Sequence, residues 1–384
     1  VSQARIAKSG GMDSPVNRLV RPAVLRQKPY KPGTTVDQAK ARYGLTHVVK
    51  LSQNENPLGC SPKAAAALAS VGDLSVYFDD DYPELRTRLA APFGLTKDNV
   101  IVGHGSNDVL MTVFEAFVEA GDEIVMADPT FSLFPKYTLL RDGVPVRVPL
   151  KEGVHDLDAM LAAITPKTKF VIVVDPNNPT GTQVDPAAFD RFVDTLPAHV
   201  VLVIDQAYRE YMPAHSVEGA DIVKRRPLTM VTRTMSKIFG LAALRFGYGI
   251  SSQEMIEVVQ RVRTPFNVSG PAVAAVLAAL DDAEFMERTL QTNAAGKIYL
   301  ERAFARLGLT WYPSAANFIA VRIPVVAEEA YEALLARGVI VRSGDGLSLP
   351  HHLRITIGTP EENAVLVAAL ESLVGAWRAA PALA

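Results

Sequence analysis

Through the middle of the chain, short apolar runs rich in β-branched residues alternate with stretches whose apolar residues recur at helical spacing. Residues 100–102, 123–127, 170–174, 200–204 and 229–232 predict strands, and 108–119 and 185–195 predict helices, the first with Val109, Val113 and Phe117 on one face. Strands alternating with helices imply crossover connections, hence an α/β domain with a mainly parallel sheet covered by helices. After about Pro271 the pattern changes: residues 271–280 and 284–307 predict helices, and 317–321, 339–342 and 353–357 predict strands. This reads as a smaller α+β domain. The expected organisation is a flexible arm over 1–20, a segment 21–50 packing with the small domain, a large domain over 51–270 and a small domain over 271–384.

Composition narrows the picture. A chain of 384 residues that is 48% hydrophobic has ample core for two domains or three. Its 39 Lys and Arg against 41 Asp and Glu give a net charge of −2, and no basic block is long enough to track a phosphate backbone, so nucleic acid is not an expected partner. No apolar run approaches the roughly 18 to 20 residues that cross a bilayer, so neither is a membrane. The first 18 residues lack the apolar centre of a secretory signal, and Met12 is an alternative start. Cys60 is the only cysteine, which fits a reducing compartment and an expected cytoplasmic location. The seven histidines are scattered without metal-ligand spacing, so no metal site is expected, and Asp79-Asp80-Asp81 reads as a solvated turn.

Four segments carry candidate chemistry. Ser236-Lys237 follows the last predicted strand, with Arg233 and Arg245 nearby. An imine-forming lysine must shed its proton, and partial desolvation beside cations favours that. Alone, such a pair is usually a surface lysine in a loop. Asp175-Pro176-Asn177-Asn178-Pro179-Thr180-Gly181 follows an apolar strand, where parallel sheets bind ligands. Asp205 ends the next strand, ahead of Gln206, Ala207 and Tyr208. A carboxylate there is costly unless paired, and a protonated ring nitrogen is one partner. Gly103-His104-Gly105-Ser106-Asn107-Asp108 opens a helix and offers free N–H groups to an anion. Asp108 stands where the dinucleotide fingerprint needs its third glycine, which argues for a single phosphate, with Ser106, Asn107, Ser236 and Arg245 as its ligands.

Taken with Asn54-Glu55-Asn56-Pro57, Tyr82-Pro83 and Leu353-Arg354-Ile355, these segments resemble, in order and spacing, the fold-type I pyridoxal-phosphate aminotransferases, in their histidinol-phosphate aminotransferase branch. The resemblance implies pyridoxal 5′-phosphate held covalently by Lys237, which also moves the proton of the reaction. It implies that Asp205 pairs with the ring nitrogen, that Asn178 and Tyr208 bind the ring hydroxyl, and that Phe131 stacks on the ring where many relatives have Tyr. Gln206 stands where the family more often has Glu. Tyr82 resembles the tyrosine that reaches the phosphate of the neighbouring subunit, implying a homodimer with shared active sites. Tyr30 resembles an N-terminal tyrosine that closes over substrate, and Arg342 and Arg354 match the arginines that grip its anion.

The implied reaction is ping-pong transfer of an amino group from a small-molecule donor to a 2-oxo acid, with histidinol phosphate and 2-oxoglutarate as the first expectation. An aromatic amino acid such as phenylalanine is the alternative donor, since pocket shape alone separates the two. A decarboxylase on the same scaffold, like the related threonine-phosphate decarboxylases, is the alternative reaction.

Overall fold

The computed structural model describes residues 14–29 and 33–379. Most of the predicted arm, and Tyr30 with it, therefore lies outside the described residues. A large sheet contains β1 (Val100–Gly103), β2 (Glu123–Asp128), β3 (Val144–Pro149), β4 (Thr168–Val174), β5 (Val201–Asp205), β6 (Thr229–Thr234) and β7 (Gly247–Ile250), in the order β1-β7-β6-β5-β4-β2-β3. Only β7 runs antiparallel to its neighbours. The five predicted strands are all present. The two additional ones lacked the expected signal: β3 carries two prolines and lies at the sheet edge, and β7 reads Gly-Tyr-Gly-Ile.

Alternation along the inner strands sends side chains into two cores. Val171 and Val173 of β4 face one, and Phe170, Ile172 and Val174 face the other. The second core takes Val109, Leu110, Val113 and Phe114 of α1 (Ser106–Phe117). The first takes Phe189, Phe192 and Val193 and, with them, the inner face of α2 (Gly270–Leu280). Residues 271–280 were expected to begin the small domain, but Ala272, Val273, Ala275, Val276 and Ala279 are buried in the large one. An Ala-rich helix allows close packing on either unit, so its composition could not reveal which.

The 24-residue helix α3 (Ala283–Arg306) joins the two units, its Leu300, Ala303 and Phe304 lying in the smaller core. That unit is an antiparallel sheet of β8 (Thr310–Trp311), β9 (Phe318–Arg322), β10 (Arg342–Ser343) and β11 (His352–Thr356), packed with α4 (Ala327–Leu335) and α5 (Pro360–Ala379). The segment before residue 51 divides. Pro22–Leu25 lies against the Leu133–Leu140 helix of the large unit, whereas Val36–Tyr43 packs on Leu335 and Ile340. Val49–Lys50 then pairs in parallel with Val339–Ile340.

Candidate active site

The carboxyl ends of β1, β2, β4, β5 and β6 share one edge of the large sheet, where an α/β sheet binds its ligand. There a cavity of about 1080 Å³ opens between the two units, and Lys237, Asp205, Tyr208, Asn178, Arg342 and Arg354 all line it. Sequence positions up to 176 apart are thereby brought together.

Lys237 follows β6, and its Nζ donates to the Gln53 carbonyl at 3.1 Å. Desolvation, aided by the Arg354 and Arg245 guanidinium charges and opposed by Glu55, pushes its amine down to about 7. Three residues on, Gly240 has φ +68°, and a Cβ there would lie 1.9 Å from the Gly59 carbonyl oxygen. Glycine thus lets the lysine loop lie against the segment after Asn56. Asn56 Nδ2 donates to the Ile238 carbonyl at 2.9 Å, pinning the same loop.

Asp205, at the end of β5, is 4% exposed and lines the cavity; Thr232 Oγ1 donates to its Oδ1 at 3.1 Å. Burial raises its carboxyl to about 6, the signature of a charge waiting for a cation. Gln206 turns away from the cavity, its Nε2 donating to the Val217 carbonyl and its Oε1 accepting from Arg233 Nη2 and the Gly219 N–H. The amide in place of the more usual acid thus sits in a structural knot beside the ion pair of the buried Arg233 with the half-buried Glu218.

The Asn178 loop is rigid. Asn177 Nδ2 donates to the Pro129 carbonyl and to Thr180 Oγ1, and its Oδ1 accepts from Thr130. Behind it, the buried His155 takes the Val174 N–H on Nε2; burial favours the neutral ring, with the pKa pushed down to about 4. Asn178 Oδ1 accepts from Arg354 Nη1 at 2.7 Å, and Arg354 Nη2 donates to the Ser52 carbonyl. Phe131 lines the cavity just past β2, edge-on to Phe134.

The opening turn of α1 fits a phosphate. Gly105 has φ +83°, and among the described residues no acceptor takes the N–H of Ser106 or Asn107. A Cβ on Gly105 would lie 2.5 Å from Arg245 Nη2, so glycine admits a guanidinium against the helix start. Arg245 Nη1 also approaches Ser236 Oγ at 3.5 Å. Free N–H groups, a helix dipole and an arginine make an anion cup. A buried carboxylate, Asp205, and an amine of lowered pKa, Lys237, line the same cavity. The donor set therefore fits a phosphorylated, cationic ring aldehyde.

Tyr82 departs from expectation. It is 2% exposed, begins its helix at φ +47°, and its hydroxyl donates to the Val268 carbonyl at 3.0 Å. Its side chain belongs to its own core, because the Asp79–Asp81 turn folds it inward, and it does not line the cavity. Five residues earlier, Tyr77 is 80% exposed and stacked on Phe266. Sequence reasoning also gave no role to Asn54, which contacts Tyr208; its motif was visible but its left-handed conformation, φ +55°, was not. No group of three or more His, Cys, Asp or Glu among the described residues is placed to hold a metal.

This cavity, with its lysine, carboxylate and phosphate cup, is that of a fold-type I aminotransferase, and the model for aminotransferase class I and II matches residues 46–370: the chain belongs to that family. Its cofactor is pyridoxal 5′-phosphate. More narrowly, it is 42% identical over 357 residues to a histidinol-phosphate aminotransferase of Moorella thermoacetica, covering 92% of each chain. It is also 42% identical over 360 residues to histidinol-phosphate aminotransferase 2 of Pseudomonas fluorescens strain Pf0-1, covering 93% of this chain and 97% of that one. The structure of the Sinorhizobium meliloti histidinol-phosphate aminotransferase in complex with pyridoxal-5′-phosphate superposes with a TM-score of 0.85 at 27% identity, covering 93% of this chain and 98% of that one.

Proposed function

We propose that this enzyme transfers the amino group of L-histidinol phosphate to 2-oxoglutarate, by a ping-pong route in the cytoplasm. The observation that carries the choice of donor is the register of the small sheet. Arg342 of β10 pairs directly with Arg354 of β11, and both line the cavity. Like charges facing each other across a ladder repel, and a dianion between them removes that cost.

When bound, pyridoxal phosphate supplies a cationic conjugated ring that takes up the electron pair left by the broken Cα–H bond. The chain's own residues do the rest. Lys237 Nζ, neutral in a large fraction near pH 7, takes the proton from the substrate Cα and returns it on the other side of the exchange. Asp205 holds a positive charge at the end of β5, Asn178 and Tyr208 bind the ring hydroxyl, and Phe131 covers one ring face. Ser106, Asn107, Ser236 and Arg245 hold the phosphate.

We also place a second copy of the chain over the exposed run Leu74, Val76, Tyr77 and Phe78 with Phe266. Scattered apolar residues are ordinary on a surface, but this contiguous patch is supported as an interface by the Tyr77–Phe266 stack, centroids 4.5 Å apart. Tyr77, in place of Tyr82, is the tyrosine presented to the partner.

Single-turnover spectroscopy of the holoenzyme tests the donor. L-histidinol phosphate and L-glutamate should each convert the cofactor to its amine form. Conversion by L-phenylalanine and not by L-histidinol phosphate overturns the choice in favour of an aromatic donor, and carbon dioxide release without demand for a 2-oxo acid identifies a decarboxylase.

A further inference from the structure

Asn54 has no role in the reading above, yet its side chain and both main-chain polar groups are hydrogen-bonded. It is 1% exposed, and its partners Tyr208, Thr356 and Asn317 are all at least nine-tenths buried. Its main-chain N–H donates to Thr356 Oγ1 at 2.9 Å, and the Thr356 hydroxyl donates back to Asn54 Oδ1 at 3.2 Å. Asn317 Nδ2 donates to its carbonyl. Thr356 lies on β11, the strand that carries Arg354.

These bonds fix the direction of the amide. The Thr356 hydroxyl already accepts from the Asn54 N–H, and among the described residues the only acceptor its own proton meets is Asn54 Oδ1, so the Nδ2 group points the other way and donates to Tyr208 Oη at 2.9 Å. Tyr208 Oη is thereby an acceptor toward Asn54. Burial holds the phenol above its ordinary range, so it keeps its proton near neutrality. With its inner side occupied by a donor, that proton is left for the cavity.

We infer that Asn54 is a positioning residue that orients the Tyr208 hydroxyl proton into the active-site cavity, and that Thr356 holds it in that orientation. The left-handed backbone at Asn54, φ +55°, favours asparagine, aspartate or glycine. Only the amide both adopts it and donates to a phenol. The neighbouring carbonyls follow the same backbone: Ser52 accepts from Arg354 and Gln53 from Lys237, so one short segment meets the anion grip, the proton carrier and the phenol.

The inference rests on the reading of Tyr208 as a ligand of the cofactor's ring hydroxyl, and its test separates the two. Asn54→Asp keeps size and backbone but replaces the donor by an acceptor, so the Tyr208 proton turns inward. The readout is the pH midpoint of the bound cofactor's visible absorbance in wild type, Asn54→Asp, Tyr208→Phe and the double variant. We expect Asn54→Asp to raise the midpoint by about one pH unit, a tenfold change in the ionisation constant, because a hydrogen bond to the ring oxygen is lost. Tyr208→Phe should raise it likewise, and the double variant should match Tyr208→Phe alone.

A shift from Asn54→Asp that persists in the Tyr208→Phe background is a direct effect of the new charge and overturns the inference, as does an unchanged midpoint in Asn54→Asp. A Tyr208→Phe enzyme with the wild-type midpoint overturns the parent reading and this one together. If Asn54→Asp does not fold, Thr356→Val carries the same cycle, since it leaves the amide free to turn over. The same additivity pattern is expected and the same outcomes overturn it.

Discussion

Asp205 imposes a stability cost on the empty enzyme that its function explains, and Asp205→Asn should expose it. The carboxyl is 4% exposed, and burial raises its pKa from 3.8 to about 6. A shift of about two units corresponds to about 3 kcal/mol of destabilisation of the charged form. The sign follows from proton counting. Between the two pKa values the folded state binds more protons than the unfolded one, so this group's contribution falls as pH rises from about 4 to about 6 and is fully unfavourable above that. Asparagine still offers an oxygen to Thr232 and carries no charge. The apoprotein of Asp205→Asn should therefore melt several degrees above wild type at pH 7.5, the gap closing as pH falls below 6. Differential scanning calorimetry of both apoproteins across that range measures it. In the holoenzyme the same substitution should lower turnover roughly ten- to a hundredfold, since a charge-assisted bond is worth roughly 1.5–3 kcal/mol. An Asp205→Asn apoprotein no more stable than wild type at pH 7.5, or a gap independent of pH, would refute the reasoning.

Other outcomes follow from the same geometry. The Lys237 amine of the apoprotein should react with an amine-directed reagent with a midpoint near pH 7, since its pKa is depressed; a midpoint above 9 contradicts its desolvated setting. Arg342→Gln should raise KM for L-histidinol phosphate roughly ten- to a hundredfold while leaving that for L-phenylalanine within about threefold, as one charged hydrogen bond to the dianion is lost. Equal effects on both donors would place Arg342 outside the anion grip. Tyr82→Phe should cost about 1 kcal/mol of stability through its bond to Val268, with turnover unchanged; a large loss of turnover would mean that Tyr82 does more than pack.

The strands that build the site were legible because each is an apolar run that ends in a polar residue: Asp205 after four apolar positions of β5, and Asp175-Pro176 after β4. Lys237, Asn178 and Arg245 were legible only jointly, as members of a spaced set. What could not be read was direction. Tyr82 and Tyr77 are both tyrosines near an acidic turn, and only the positive φ at Tyr82 and the Val268 contact decide which one faces inward. Asn54 stands within a legible motif, but its role depends on a hydroxyl 302 residues away. Residues 271–280 read as a helix, and α2 begins one residue earlier; which unit it packs on was not legible, because periodicity describes a face and not the surface it meets.

That separation has a consequence for how the enzyme comes into being. Ser52 bonds to Arg354 and Asn54 to Thr356, each across 302 positions, so the cavity wall joins the early chain to β11, the last strand of the described residues. During synthesis the strands of the large sheet and the helix α2 buried against them are complete once residue 280 has emerged, whereas the wall must wait for Thr356, about 75 residues later. The residues that hold the cofactor, from Ser106 to Arg245, are thus all made before those that close the substrate side. A chain cut after α3 would carry the lysine and the residues of the phosphate cup but neither Arg342 nor Arg354 to receive the substrate's anion.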